Sequence, residues 1–185
     1  NKCIMAVVSS YPFSICEEQE YMPAIIYTTH AGPELGNAFA DVINGKYSPA
    51  GRLAQTWYKS EYELAPIESY DIIENEMTYL YYKGKPLYPF GYGLTYSHFE
   101  CGDVSYKDNM LTVNVTNTGS RSAEDVLQVY IKSENGVKNH SLCAFERVSL
   151  FDGESRTISI NIPEGAFETV DDNGVRAVRS GRYTL

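Results

Sequence analysis

The apolar positions in the first 58 residues come in continuous runs. Ile4–Val8 and Ala24–Thr29 are typical of strands buried on both faces of a sheet. After Pro33, Leu35, Ala38, Phe39 and Val42 recur at helical spacing and Gly45 follows as a C-terminal cap, while Gln55–Tyr58 suits a short strand. We interpret residues 1–58 as the C-terminal remnant of a larger α/β domain.

That remnant contains too few elements to cover its own sheet. A sheet buried on both faces needs helices on both sides, and residues 1–58 predict only one main helix. We therefore expect an exposed apolar face, with self-association or local disorder there.

The pattern changes at residue 99, after which apolar and polar positions alternate. Met110–Asn117, Leu127–Ile131 and Ile158–Ile162 have the period of half-buried antiparallel strands. Turn signals such as Asn117-Thr118-Gly119 and Phe151-Asp152-Gly153 separate them. The pattern predicts an immunoglobulin-like or fibronectin type III-like antiparallel β-sandwich over residues 99–185.

Residues 59–98 are polar and rich in tyrosine, and we interpret them as an extended linker in which Tyr79–Tyr82 suits a strand. The linker ends in an uncharged segment, Tyr88–Tyr96, that we call the aromatic strap. Pro89 favours extended backbone, and Gly91 and Gly93 permit bends. The strap joins a segment with continuous apolar runs to a segment in which apolar and polar positions alternate. We therefore expect its aromatic rings to be buried between two domains.

Charge and composition exclude several partners. The 185 residues carry a net charge of −9, which argues against nucleic acid and anionic membranes because both require a basic surface. No apolar run approaches the roughly 20 residues of a membrane-spanning helix. We expect no cofactor and no metal. The four cysteines form either free thiols or two disulfides, and the 43% hydrophobic content favours free thiols.

No set of residues converges on a recognisable reaction. The adjacent Glu17, Glu18 and Glu20 are typical of a solvated face, and His30 of a loop histidine. Glu34 and Asp41 are expected to lie a helix-width apart. Glu34 falls at the helix N-terminus, where the dipole stabilises a carboxylate, so a capping role is the simpler explanation of Glu34 than a catalytic one. For Arg52, a structural role as an ion-pair or backbone hydrogen-bond partner is favoured over a functional one. Trp57, together with Tyr58, could stack on a sugar ring, but a packing role is favoured. We assign no catalytic, cofactor-binding or metal-binding residue.

The order of motifs resembles the C-terminal part of family 3 glycoside hydrolases, from the end of the α/β-sandwich domain into the fibronectin type III-like domain. The resemblance spans nearly the whole chain. The matching segments are Gly32–Ile43, Gly45–Leu53, Thr56–Tyr58, Tyr88–Tyr96, Val113–Gly119, Glu124–Tyr130 and Phe145–Val148.

The resemblance implies a retaining exo-acting β-glycosidase that uses two carboxylates, of the β-glucosidase or β-xylosidase type. It places the nucleophilic aspartate on an N-terminal barrel and the acid/base glutamate in an earlier loop, so no catalytic residue transfers to this chain. The expected partners are that barrel and, in the whole protein, an oligosaccharide. Thr56–Tyr58 and Tyr70–Ile72 look closer to bacterial xylosidases than to glucosidases.

Two functions from different classes follow from these observations. The first is a non-catalytic C-terminal piece of a glycosidase, in which the sandwich acts as a structural brace. The second is an independent sandwich module that binds carbohydrate or protein. Residues 1–58 favour the first, because a free-standing module has no use for a partial α/β layer. The sequence predicts no compartment.

Overall fold

A computed structural model describes residues 3–134, 136, 138–171 and 173–185. The chain folds into two compact units. The first contains the residues up to Lys46 together with Leu53–Tyr92, and the second contains Tyr47–Arg52 and Gly93–Leu185. The chain therefore enters the second unit early, for six residues, before it returns to the first.

The first unit is built on a small parallel sheet with short helices. Strands β1 and β2 pair in parallel, with Ile4 opposite Ala24 and Val8 opposite Thr28. The elements of this unit are β1 (Ile4–Val8), α1 (Cys16–Tyr21), β2 (Ala24–Thr28), α2 (Leu35–Ile43), a 3₁₀ turn (Glu61–Glu63) and α3 (Thr78–Tyr81).

The predicted helix after Pro33 is confirmed as α2. Leu35, Phe39 and Val42 are half-buried, as the helical period requires, although Ala38 is exposed. Gly45 has a φ of 70° immediately after the C-cap, a conformation that favours glycine and ends the helix there.

Two strand predictions in this unit are wrong. Gln55–Tyr58 forms only one isolated bridge, between Trp57 and Tyr88. Pro86, two residues before Tyr88, lacks the N–H donor that the next hydrogen-bonded pair of the ladder needs. Tyr79–Tyr82 lies in the short helix α3 and its C-cap.

The prediction that β1 is buried on both faces is also wrong in this chain. Val7 is buried and Met5 is half-buried, but Ile4 and Val8 are exposed. Tyr11 and Phe13, in the connection that follows, are exposed as well. The sequence predicted an exposed apolar face because one helix cannot cover both sides of a sheet. The exposed side chains of β1 and of the connection after it form such a face.

The core of the first unit forms around Trp57, whose side chain is only 2% exposed. Val7 and Ile15 complete the buried cluster, and Tyr27 presents its ring edge with a centroid separation of 4.9 Å. Trp57 is therefore a packing residue, as its structural interpretation held, and its ring is not accessible to a sugar.

The aromatic strap divides between the two units after Tyr92. In the first unit, Phe90 stacks on Tyr79 at 4.0 Å and Tyr88 lies 6.0 Å from Trp57. Tyr92 and Tyr96 are exposed. Tyr88 and Phe90 are thus half-buried against other residues of the first unit, and burial of their rings between two domains stays a prediction.

We expect Thr56→Val to leave the first unit equally stable or to raise its free energy of unfolding by about 1 kcal/mol. The Thr56 hydroxyl is buried, and no group in the described part of the chain forms a hydrogen bond with it. A buried hydroxyl without a partner costs about 1–3 kcal/mol, which valine avoids. Urea unfolding followed by Trp57 fluorescence measures the change.

Ser9→Ala is the matched control for this substitution. The Ser9 hydroxyl is also buried, but it accepts a hydrogen bond from the Tyr11 N–H at 3.0 Å. This variant is expected to lose about 1 kcal/mol. A loss at Thr56 that equals the loss at Ser9 would show that the Thr56 hydroxyl has a partner.

The second unit is a β-sandwich of two three-stranded antiparallel sheets. One sheet has the order β10-β5-β6 and the other β3-β4-β7, and β8 pairs with β9. The strands are β3 (Phe99–Lys107), β4 (Met110–Asn117), β5 (Ala123–Ser133), β6 (Ser141–Leu150), β7 (Ser155–Asn161), β8 (Glu168–Val170), β9 (Arg176–Val178) and β10 (Tyr183–Thr184).

Alternating residues from both sheets form the sandwich core. Val113 and Val115 on β4 pack with Val129 on β5, Leu150 on β6 and Ile160 on β7. The period-two pattern in the sequence predicted the inward positions on β4, β5 and β7 correctly. The fold is therefore a partial α/β layer followed by an antiparallel β-sandwich, as predicted.

Candidate functional site

A group of polar contacts in the second unit surrounds Tyr47–Arg52, which we call the anchored segment. Its flanking residues, Lys46 and Leu53, belong to the first unit, but its own contacts lie in the second. The Ser48 hydroxyl lies 2.7 Å from that of Thr95 and accepts a hydrogen bond from the Tyr96 N–H at 2.9 Å.

Tyr47 joins an ion pair on the face of sheet β10-β5-β6. The Tyr47 hydroxyl donates to Glu124 Oε2 at 2.8 Å, and Arg147 Nε donates to the same oxygen at 3.0 Å. Arg147 Nη2 also lies 2.5 Å from the Tyr47 oxygen. Glu124 on β5 and Arg147 on β6 are diagonal neighbours, because Arg147 stands opposite Val126 in the register.

Hydrogen bonding shifts the pKa values of this cluster in the directions expected for a carboxylate held in its charged form. The bond from Tyr47, followed by those from Arg147, lowers the pKa of Glu124. The bond to Glu124, together with burial, raises the pKa of Tyr47. The hydrogen bonds therefore stabilise the anionic form of Glu124.

Arg52 forms the second attachment of the anchored segment. Its guanidinium pairs with Asp125 on β5, and the two side chains are only 15% and 16% exposed. Asp125 Oδ1 also accepts the Val126 N–H at 2.6 Å, which orients the carboxylate. Gly93 allows the close approach of backbone here, since a Cβ at this position would meet the Gly51 carbonyl oxygen and the Arg52 guanidinium.

We expect Glu124→Gln to reduce stability at pH 7 and to have no effect in strong acid. The pKa of Glu124 is lowered in the folded state, so its carboxylate contributes stability above the usual glutamate pKa of about 4.3. That contribution is lost as the pH falls from there through the lower folded pKa. Urea unfolding of the two proteins at a series of pH values should show curves that converge towards low pH. Glu146→Gln, an exposed glutamate on β6, is the control, and equal behaviour of the two variants would contradict the assignment.

The carboxylates and the histidine that the sequence raised as candidates lie apart from this region. Glu17, Glu18 and Glu20 are exposed on and around α1, as expected for a solvated face. His30 is exposed, with Nδ1 3.0 Å from the Ser10 hydroxyl.

The two acidic residues of α2 also have structural partners. Glu34 occupies the N-cap position, but its carboxylate makes no capping hydrogen bond and instead accepts from the Asn37 side chain at 2.5 Å. Asp41 pairs with Lys46 at 3.2 Å, where both side chains are exposed. The structure brings none of these groups together with a second candidate.

Arg52 is the one sequence candidate that lies in the region, and its interpretation as an ion-pair partner is confirmed. Sequence reasoning did not identify Tyr47, Glu124, Asp125 or Arg147 as members of a cluster. The sequence shows opposite charges on the segments that form β5 and β6. Without the register of the two strands, these charges do not indicate which acidic residue pairs with which basic residue.

All four cysteines are free thiols. Within the described ranges no group of three or more His, Cys, Asp or Glu side chains is arranged to hold a metal ion. No described helix is both long enough and apolar enough to cross a membrane.

Two sequence families match the chain. Residues 1–96 match the glycosyl hydrolase family 3 C-terminal domain, and residues 125–185 match the fibronectin type III-like domain. A xylan 1,4-β-xylosidase of Xylanibacter ruminicola is 32% identical over 91% of this chain and 20% of its own length. A periplasmic β-glucosidase of Salmonella typhimurium is 32% identical over 86% of this chain and 24% of its own length.

A solved structure has the same fold. A family 3 exo-β-xylosidase in complex with a xylobiose aziridine probe matches 97% of this chain with a TM-score of 0.87 and 26% identity. The match covers 28% of that protein, so the chain spans about a fifth to a quarter of the length of the relatives named here. The chain belongs to glycoside hydrolase family 3, as part of the C-terminal region.

Proposed function

We propose that this chain is the non-catalytic C-terminal part of a retaining exo-β-glycosidase, and that its sandwich braces the α/β part of the enzyme. The relatives named above are a xylosidase and a glucosidase, and this chain corresponds to at most 24% of either. Such chemistry needs a carboxylate nucleophile and a carboxylic acid/base about 5–5.5 Å apart. The carboxylates discussed above are instead dispersed or engaged in ion pairs, so we assign both catalytic groups to the N-terminal part of the enzyme.

The anchored segment is the observation that carries the brace. Six residues, Tyr47–Arg52, leave the first unit along the chain and are held in the second by Tyr47–Glu124–Arg147 and by Arg52–Asp125. Residues of the first unit flank both ends of this segment. Fixing the segment therefore restrains the backbone of the first unit at two points.

We propose terminal β-linked xylose or glucose as the sugar that the whole enzyme releases, with xylose favoured. Support comes from the sequence resemblance at Thr56–Tyr58 and from the xylosidase and the xylobiose-derived probe among the matches. Glucose is the alternative, because the Salmonella typhimurium relative is a β-glucosidase.

The exposed apolar face beside β1 fits the same proposal. Ile4, Val8, Tyr11 and Phe13 present apolar surface to solvent, which in a monomeric protein marks a contact site. We propose that further elements of the α/β domain cover this face in the whole enzyme. The purified chain should then self-associate through it.

Hydrolysis of 4-nitrophenyl β-xyloside and β-glucoside by the purified chain tests the proposed function. No turnover above the buffer rate is expected, because both catalytic carboxylates lie outside the chain. Turnover that resists removal of contaminating glycosidases would contradict the proposal. Tight binding of xylo-oligosaccharides by the chain would instead favour an independent carbohydrate-binding module.

A further inference from the structure

A loop of the first unit exposes unusually large apolar side chains. We call residues 61–76 the acidic loop. Tyr62, Ile67 and Tyr70 are 90%, 85% and 88% exposed, and Leu64, Ile72 and Ile73 are exposed as well. Apolar surface concentrated in one short segment and surrounded by polar groups is characteristic of an interaction site.

The loop is held in place by its own hydrogen bonds. Asp71 Oδ1 accepts from the N–H groups of Ile73 at 2.9 Å and Glu74 at 2.8 Å. The Asn75 side chain donates to the Ser69 hydroxyl and to the Asp71 carbonyl oxygen, both at 2.6 Å. These bonds fix the segment that carries Tyr70, Ile72 and Ile73, so their exposure belongs to a defined conformation.

The charge of the loop has one sign. Residues 60–82 contain no lysine, arginine or histidine, and the acidic loop supplies all six of their acidic residues. Glu76 pairs with Lys83, and Glu63 accepts the Lys59 N–H at 3.0 Å. Glu61, Glu68 and Glu74 are exposed beside the apolar side chains.

We propose that the acidic loop binds a partner protein whose contact surface carries lysine and arginine around an apolar centre. The carboxylates complement the basic groups, and the exposed tyrosine and isoleucine side chains supply the apolar contact. A second copy of this chain does not fit through the same loop, because the two loops carry like charges. The exposed aliphatic side chains favour a protein over a sugar, whose rings stack on flat aromatic faces.

One interface can contain all these residues. The eight Cα–Cα steps from Tyr62 to Tyr70 span at most about 28 Å when the chain is fully extended. A standard interface buries about 800 Å² on each partner, which is a patch of similar width. The proposal needs no movement of the loop and does not depend on the chemistry of the whole enzyme.

Binding of a fluorescent, amphipathic leucine–lysine peptide to the purified chain tests the proposal. Fluorescence anisotropy at low and at high salt gives the affinity and its electrostatic part. Two triple variants separate the apolar and the charged contributions: Tyr62→Ser/Ile67→Ser/Tyr70→Ser and Glu61→Gln/Glu68→Gln/Glu74→Gln. We expect each to weaken binding by about tenfold or more, and the second to reduce the salt dependence.

Two matched controls use exposed residues outside the loop. Tyr21→Ser/Phe151→Ser removes two exposed aromatic side chains, and Glu17→Gln/Glu18→Gln/Glu20→Gln removes three exposed carboxylates. Both should change the affinity less than about twofold. Absence of peptide binding, or equal losses in loop and control variants, would overturn the proposal. Binding of xylo-oligosaccharides that the tyrosine substitutions abolish and the glutamate substitutions preserve would also overturn it, in favour of a glycan site.

Discussion

Asn117→Asp is expected to lower the free energy of unfolding of the sandwich by about 3–5 kcal/mol. Asn117 is fully buried at the end of β4. Its side-chain nitrogen donates to the carbonyl oxygens of Arg121 at 2.9 Å and Leu150 at 3.2 Å. A carboxylate in this position turns both donors into acceptors that face carbonyl oxygens, and it buries a charge without a counter-ion.

The other half of the Asn117 amide explains why aspartate cannot be accommodated by reorientation. Asn117 Oδ1 already accepts from the Ser97 hydroxyl at 2.6 Å and from the Gly119 N–H at 3.0 Å. All the hydrogen-bonding positions of the side chain are therefore specified, two as donors and two as acceptors.

Urea unfolding at pH 7, followed by far-UV circular dichroism, measures the loss. Asn114→Asp is the matched control, because Asn114 lies on the same strand and is exposed. It should change the free energy of unfolding by less than about 0.5 kcal/mol. Similar losses in the two variants would mean that the buried amide network contributes little.

Arg52→Ala is expected to cost about 2–3 kcal/mol. The substitution removes the guanidinium partner of Asp125, whose side chain is only 16% exposed in the intact protein. Breaking a buried pair from one side is more costly than removing both charges, because the remaining charge has lost its solvation. The double variant Arg52→Met/Asp125→Leu should therefore lose less than Arg52→Ala alone.

The exposed pair Lys46–Asp41 provides the comparison for Arg52. Both of its side chains are largely in solvent, so Lys46→Ala should cost about 0–1 kcal/mol. The same urea series measures all three variants. A double variant that is less stable than Arg52→Ala would contradict the interpretation of Arg52–Asp125 as a half-buried ion pair.

The sequence predicted the elements whose pattern is local. The alternation in Met110–Asn117 specified both the strand and its inward side chains, and the spacing of Leu35, Phe39 and Val42 specified α2. The resemblance to family 3 glycoside hydrolases rested on the order of several motifs, and the comparisons confirmed it. These inferences needed no knowledge of which residues meet in space.

The features that depend on long-range contacts could not be predicted. Trp57 had the propensity of a strand residue, but its pairing is limited by Pro86, which lies about 30 residues further along the chain. Tyr47 is separated from Arg147 by 100 positions, and nothing in its local sequence indicates that it belongs to the second unit. The residues that support the brace are therefore those that the sequence did not reveal.

The brace is tested most directly by unfolding the Arg52→Ala chain with two probes. Trp57 is the only tryptophan and lies in the first unit, whereas Arg52 lies in the second. Trp57 fluorescence reports on the first unit, and the amide signals of β4 and β5, followed by NMR, report on the sandwich. If the sandwich braces the first unit, Arg52→Ala lowers the unfolding midpoint seen by both probes by the same amount. A lowered midpoint in the sandwich with an unchanged Trp57 transition would contradict it.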